Sequence, residues 1–266
     1  MSALPNTLDE LYSGDDLAGL FPGGFINFGY YDGLNIHALS KEDRIQSQKN
    51  LYNQVHKAIH TKDGETVLEV GIGHGGGPAW TAESFRLKKI IGVDIFQKHI
   101  EIAKKDFKAH LGKYSHLSYE QARAESIPFP DKFFNKIYAI ESFQHFTNQQ
   151  KFLTEAFRLL TEKGMIAIST FFLKREEDVS EVESLLPKIA VIPSDLDKTN
   201  HIVTADGLRK ELEKAGFTNI NIQAIGENVW EGYHHWVGDT EKNWDLGWLE
   251  AYKRGLLDYY IISATR

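Results

Sequence analysis

Thr66 to Gly77 reads TVLEVGIGHGGG, and no other stretch of the chain constrains its fold as tightly. Thr66-Val67-Leu68 is β-branched and apolar, the character of a parallel strand buried on both faces. Glu69 is an acid at the end of that strand. Gly71, Gly73, Gly75, Gly76 and Gly77 then form a turn in which backbone can approach a ligand with no Cβ atoms in the way. Pro78 to Arg86 can open a helix, whose first N–H groups favour polar or anionic atoms. Strand, glycine turn and helix start together make a nucleotide-type cradle within an α/β fold.

The next question is which nucleotide. Gly71, Gly73 and Gly76 satisfy G-x-G-x-x-G, and Asp94 follows about 20 residues later, as in a dinucleotide fold. Glu69, however, stands where a dinucleotide strand is normally apolar and where an amino-acid ammonium can bind. Lys88 to Asp94 (KKIIGVD) reads as a second strand ending in an acid suited to a ribose diol, and Ile95 after it can pack on an adenine face. Ala124 to Asp131 (AESIPFPD), Lys136 to His145 (KIYAIESFQH) and Leu159 to Ser169 (LLTEKGMIAIS) follow in order, at about the spacing of successive βα units.

From Asn27 to the C-terminus this succession resembles the class I S-adenosylmethionine (SAM)-dependent methyltransferases. Phe25-Ile26-Asn27-Phe28-Gly29-Tyr30-Tyr31, the IESFQH segment and Leu257-Asp258-Tyr259-Tyr260-Ile261-Ile262 look like its small-molecule branch, with the sugar O-, tocopherol and glycine-derived N-methyltransferases. The resemblance implies a Rossmann-like seven-stranded sheet, mostly parallel with the last strand antiparallel. Helices would cover both faces, with an N-terminal helical arm and a C-terminal cover. It also implies S-adenosyl-L-methionine as cofactor and methyl transfer to an O, N or C nucleophile of a small-molecule acceptor, with no metal. Two alternatives stand beside it. A nicotinamide-dependent oxidoreductase would keep the glycine loop and Asp94 but leave Glu69 and IESFQH unexplained. A catalytically silent SAM-binding protein would account for departures from the family pattern at Arg123 and Thr170.

The expected organisation is one domain over 1–266: an arm and lid over 1–60, a SAM-binding core over 61–172, and a substrate cover with the last two strands over 173–266. Residues 1–24 are polar and end in the breaker cluster Phe21-Pro22-Gly23-Gly24, which reads as a mobile arm and turn. The spacing predicts helices over Ser40–His60, Gln149–Leu160, Lys174–Leu186 and Thr204–Ala215, with Gly216 as a left-handed stop. Strands are predicted near 66–71, 89–94, 117–122, 136–140, 164–171, 219–224 and 256–265. Glu227 to Gly255, with Trp230, Tyr233, His234, His235, Trp236, Trp244, Trp248 and Tyr252, reads as a helical or looped cover.

A net charge of −7 with no Lys/Arg-rich block gives no electrostatic footprint for nucleic acid, which points to a small-molecule partner. The absence of cysteine excludes disulfides and thiolate metal sites and fits a reducing cytoplasm. No apolar run approaches the ~20 residues of a membrane span, and the first residues lack the pattern of a signal peptide.

Glu69 would meet the cofactor's ammonium, or bond the glycine turn as a structural carboxylate. Gly71, Gly73 and Gly75 would give close backbone approach. Asp94 would pair with the two ribose hydroxyls, a role compatible with capping the helix that begins near Gln97. Arg123 occupies the position where the family has an adenine-binding acid, and a donor-only guanidinium cannot accept from an adenine amino group. The backbone of Ala124 and the carboxylate of Glu125 are the substitutes. Glu141, also assigned to the cofactor, Ser142, Gln144 and His145 follow the fourth strand, at the sheet edge where α/β folds bind ligands. His145 is the candidate general base. Some relatives pair it with an Asp after the fifth strand, and Thr170 stands there instead. Tyr30 and Tyr31 offer aromatic faces to close over a sulfonium, or apolar packing for the arm. His56 and His60, at i and i+4, read as exposed helix histidines in preference to a metal pair.

Overall fold

The computed structural model describes residues 19–186, 201–238 and 247–266. Most of the polar arm, Pro187 and Trp244 lie outside the described residues. Among the described residues the seven strands are β1 (Thr66–Val70), β2 (Lys89–Asp94), β3 (Leu117–Gln121), β4 (Phe134–Ile140), β5 (Leu160–Leu173), β6 (Thr218–Ala224) and β7 (Leu257–Thr265). They form one sheet in the order β3-β2-β1-β4-β5-β7-β6. β1 to β5 pair in parallel, while β7 runs antiparallel to both β5 and β6. This is the expected topology. β5 extends beyond the predicted 164–171 because Leu257–Thr265 pairs with it out to Leu173.

β1 is buried throughout, as its unbroken apolar character requires. Its side chains alternate between two cores. Val67 faces the layer of α1 (Lys41–Ala58), α2 (Gly76–Ser84) and α3 (Gln97–Asp106), and Leu68 and Val70 face the layer of α5 (Gln149–Leu159) and α7 (Ala205–Lys214). The short α4 (Lys108–Lys113) follows α3, and α6 (Val179–Leu185) takes up only the end of the predicted Lys174–Leu186 helix. Edge strand β6 is mostly exposed, so its isoleucines carry less core than their spacing suggested.

Local chemistry sets the helix ends. Ser40 accepts from the Asp43 N–H at 3.1 Å and Asp43 accepts from the Ser40 N–H at 2.9 Å, a reciprocal cap for α1. Asn148 caps α5 and Thr204 caps α7 through single side-chain acceptors. α1 stops at Ala58, so His60 lies beyond it with a left-handed φ of 52°.

Leu20 to Tyr31 is not a detached arm. Phe25, Phe28 and Tyr31 are buried, and Phe28 sits among Trp230, Tyr233, Trp248 and Tyr259 at ring-centre distances of 4.6–6.3 Å. The cover is helical: α8 (Trp230–Gly238) and α9 (Trp248–Lys253) bring Trp230 and Trp248 into a stack, 5.3 Å apart and 6° from parallel. Buried Arg44 ties the segment to α1 by donating to the carbonyls of Leu20, Asn27 and Phe28.

Candidate active site

The strand order reverses between β1 and β4, and a cavity of about 250 Å³ opens there at the carboxyl ends of β1, β2 and β4. Of the residues singled out from the sequence, Gly71, Gly73, Asp94, Ile95, Ala124, Glu125, Glu141 and His145 form its wall. Glu69, Gly75 and Tyr30 do not. Ile26, Tyr52, Phe96, His99, Ser142 and Phe146 also line it and were not foreseen as site residues, Ser142 excepted in passing.

The glycine turn is built as a wall without side chains. Gly71 has φ 81°, and a Cβ there would collide with the Cβ of Ser142, whose hydroxyl donates to the Val70 carbonyl at 2.7 Å. Gly76 opens α2 against the backbone of Gly24, leaving no room for a methyl group on Gly76. Gly75 serves the turn from outside the cavity; its carbonyl accepts from the Tyr119 hydroxyl at 2.8 Å.

Asp94 ends β2 with its carboxylate 3.0 Å from the N–H groups of Gly73 and Phe96 and 3.1 Å from His99 Nδ1. It organises the turn and also faces the cavity. The cap of α3 falls on Phe96, so the bond from Asp94 to the Phe96 N–H is a local turn rather than the expected cap. Ile95 is 40% exposed and lies on the cavity wall.

Glu69 is 1% exposed. Its two oxygens accept from the hydroxyls of Tyr52 at 2.6 Å and Tyr138 at 2.9 Å, not from the glycine turn. Burial lifts its carboxyl from 4.5 to about 8, against the pull of the two phenols. No cation lies in salt-bridge range among the described residues. Tyr52, on α1, touches both Glu69 and the cavity. Its place on the buried stripe with Leu51, Val55 and His56 gave no sign of that in the sequence.

Glu125 accepts from the Asn148 N–H at 3.0 Å through Oε1, and its Oε2 lies 3.6 Å from Arg123 Nε. Arg123 itself is largely exposed and stays off the cavity wall, so the departure from the family pattern leaves the pocket open. Glu141 sits in a left-handed conformation, φ 49°, at the end of β4. Its Oε1 accepts from the Phe28 N–H at 2.6 Å and the Tyr259 hydroxyl at 2.8 Å, and burial raises it to about 8.

His145 lines the cavity with Nδ1 buried and Nε2 3.4 Å from Gln144 Nε2. Burial, with His201 nearby, pushes the imidazole down to about 4, so it is neutral at physiological pH. Thr170 bonds to the amide that precedes His145 in the chain. Its hydroxyl donates to Gln144 Oε1 at 2.9 Å, and Gln144 Nε2 lies 2.9 Å from the Glu141 carbonyl and 3.4 Å from His145 Nε2. An amide, not a carboxylate, stands beside the histidine.

Tyr30 packs at the margin of the aromatic cluster, its N–H bonded to the Ser47 carbonyl. Tyr31 lies under Gly232 and accepts from Arg44. The structure brings neither to the cavity, because the backbone of this segment is pinned to α1 and Ile26 takes the inward position. His56 is buried and bonded at both nitrogens, which corrects its reading as an exposed helix residue.

The site offers a side-chain-free turn, one strand-end carboxylate and an exposed isoleucine on the cavity wall, with the buried Glu69 carboxyl behind the turn. The chain matches the family description "Methyltransferase domain" over residues 68–168. It is 26% identical over 235 residues to erythromycin 3''-O-methyltransferase of Saccharopolyspora erythraea, covering 86% of this chain and 73% of that one. It is 32% identical over 142 residues to the fatty-acid O-methyltransferase of Mycolicibacterium smegmatis, 53% of this chain and 50% of that one. Geranyl diphosphate C-methyltransferase of Streptomyces coelicolor, solved with S-adenosyl-L-homocysteine, superposes with a TM-score of 0.76 at 14% identity, over 99% of this chain and 100% of that one, a likeness of fold. No helix among the described residues is long and apolar enough to cross a membrane. Cavity, strand order and relatives agree on a SAM-dependent methyltransferase that acts on small molecules, and the nicotinamide reading falls away.

Proposed function

We propose that this enzyme methylates a hydroxyl group of a largely apolar small molecule, with the cofactor held by the residues predicted for it other than Tyr30. The observation that carries the reading is the wall of the cavity, where the glycine turn, Asp94 and neutral His145 converge. Bound SAM supplies an electrophilic methyl group on a sulfonium centre. Asp94 takes the ribose hydroxyls with the carboxylate lone pairs that Gly73, Phe96 and His99 leave open. The turn at Gly71 and Gly73, backed by Gly75, admits the methionine end, and Glu69 with Tyr52 provides the negative field behind it. Ile95 packs on the adenine, with the Ala124 N–H and Glu125 at its edge. Glu141 fixes the near side of the site through Phe28, and His145 receives the acceptor's proton.

Apolar Ile26, Ile140 and Phe146 on the cavity wall and the O-methyltransferase relatives support a hydroxyl acceptor with apolar bulk. Alignment and exclusion of water supply most of the rate. The domain division at 60/61 and 172/173, action away from nucleic acid and a cytoplasmic location belong to the same reading. The test is calorimetric titration with SAM, S-adenosylhomocysteine and NADH, followed by transfer from methyl-labelled SAM into fractionated small-molecule extract with mass-spectrometric detection. Binding of SAM without NADH and a labelled ether or ester support the reading. A labelled amine or C-methyl product moves the acceptor class, and binding without transfer returns the silent-protein alternative.

A further inference from the structure

His56 is 2% exposed, and burial pushes its imidazole down to about 3, so it is neutral and carries one N–H. The rings of Trp80, Phe85 and Tyr138 surround it at 4.8–5.9 Å. Both nitrogens are nevertheless bonded: Nδ1 lies 2.9 Å from Thr61 Oγ1 and Nε2 lies 3.0 Å from Thr81 Oγ1. From Thr81 the chain continues to the Tyr138 hydroxyl at 3.0 Å and from there to Glu69 Oε2 at 2.9 Å. Thr81 and Tyr138 are fully buried, whereas Thr61 is half-exposed. Four hydrogen bonds therefore connect solvent to the carboxyl behind the glycine turn, by a route that avoids the cavity.

Two directions of bonding satisfy every member. With Glu69 ionised, Tyr138 donates to Glu69, Thr81 donates to Tyr138, His56 donates from Nε2 to Thr81, and Thr61 donates to Nδ1. With Glu69 protonated, the carboxyl donates to Tyr138 and each bond reverses, which puts the histidine proton on Nδ1. The tautomer of His56 is thus tied to the charge of Glu69.

Resting on the assignment of Glu69 to the cofactor's ammonium, we propose that Thr61, His56, Thr81 and Tyr138 are a proton exit for Glu69, with His56 as its two-position element. When an ammonium settles beside Glu69, the carboxyl must be ionised, and a filled cavity closes the direct way out. The proton on Oε2 passes to the Tyr138 oxygen, the phenol proton to Thr81, and the Thr81 proton to His56 Nε2. The Nδ1 proton goes to Thr61, whose own proton goes to water. Each bond to hydrogen that breaks is matched by one that forms, and Glu69 keeps the electron pair. His56 acts through Thr81 and Tyr138, as a positioning residue. Tyr52 from α1, Tyr138 from β4, Asp94 from β2 and Tyr119 from β3 face Glu69. All three phenols are pushed above their ordinary range by burial, and Glu69 is raised to about 8. Glu141 titrates in the same range but is not bonded to the chain of donors.

The test is two-bond ¹⁵N–¹H correlation on the full chain labelled at histidine, with His56 assigned from the His56→Gln variant. Without ligand at pH 6.5 the proton is expected on Nδ1. It should move to Nε2 on raising the pH to 9.5, and at pH 6.5 on saturation with S-adenosylhomocysteine. Thr81→Val, which keeps the volume and cuts the chain, should bind S-adenosylhomocysteine by calorimetry without moving the His56 proton; Tyr138→Phe cuts the same chain if that variant does not fold. Bound ligand with an unmoved tautomer in the wild type overturns the proposal, as does a tautomer switch that survives in either cut variant. Absence of binding instead overturns the cofactor assignment, and the pH arm then decides the relay alone.

Discussion

The backbone N–H of Phe28 donates to Oε1 of Glu141 at 2.6 Å, joining the N-terminal segment to the end of β4 across the mouth of the site. Burial of Glu141, opposed by this bond, sets a pH dependence. Burial raises the Glu141 carboxyl to about 8, so the folded chain favours its neutral form while the unfolded chain ionises near 4.5. The stabilisation is full below about 4.5 and is lost as pH rises through about 8. Glu141→Gln keeps an acceptor oxygen and cannot ionise. Ligand-free wild type should therefore lose on the order of 1 kcal/mol more than Glu141→Gln between pH 6 and 9, read by thermal melting. Glu69 contributes a loss of the same sign in both proteins, and the difference isolates Glu141. Parallel melting curves would remove the assignment.

Asp94→Ala removes a ribose partner and also strands the N–H groups of Gly73 and Phe96. Affinity for S-adenosylhomocysteine should fall by about 2–4 kcal/mol, and the melting temperature should fall with it, by the equivalent of about 1–3 kcal/mol. A ribose role alone predicts a loss of binding with the fold intact; the bonds to the turn add the second effect. Calorimetry and melting on one preparation test both, and unchanged affinity withdraws the ribose role.

Most of this fold was legible because its signals are local. The β1–turn–α2 unit announces itself through Val67, Leu68 and the glycines, and the Ser40 cap through Asp43 three residues on. The site was legible where it follows strand ends, at Asp94, Glu141 and His145. Tyr52 and His56 were not, because a helix stripe of Leu51, Tyr52, Val55 and His56 reads as plain packing until the sheet shows what it packs against. Tyr30 and Ile26 failed for a related reason: which residue of an irregular segment turns inward is decided by long-range bonds, here those from Arg44 and Ser47, which leave no periodicity in the sequence.

Arg44 is fully buried, with no carboxylate in salt-bridge range among the described residues and with backbone carbonyls of Leu20, Asn27 and Phe28 as acceptors. Arg44→Met fills a similar volume but leaves those carbonyls without their donor. The expected cost is about 2–4 kcal/mol of stability, since each buried group left unpaired costs about 1–3 kcal/mol and the segment can partly relax. A segment that acted only as a detached lid would lose turnover and keep its melting temperature. A large drop in melting temperature shows that Leu20 to Tyr31 is part of the folded core.

His145 and Thr170 separate proton transfer from positioning. A neutral imidazole held near 4 is available at every physiological pH but is a weak base, so its help should lie towards the lower end of the usual ~10²–10⁴-fold. His145→Ala should lower kcat by about 10²-fold, with S-adenosylhomocysteine affinity unchanged. The wild-type rate should be flat between pH 5.5 and 7 as far as this histidine is concerned, because its protonation falls below that window. Thr170→Val removes the donor to Gln144 Oε1, a buried bond worth about 1 kcal/mol, and should lower kcat about fivefold by freeing the amide beside His145. In the double variant the Thr170 effect should vanish, because an amide with no imidazole to orient has nothing left to contribute. If the two losses add, or if His145→Ala weakens S-adenosylhomocysteine as much as it slows turnover, the histidine belongs to the cofactor's support and the proton must leave by another group.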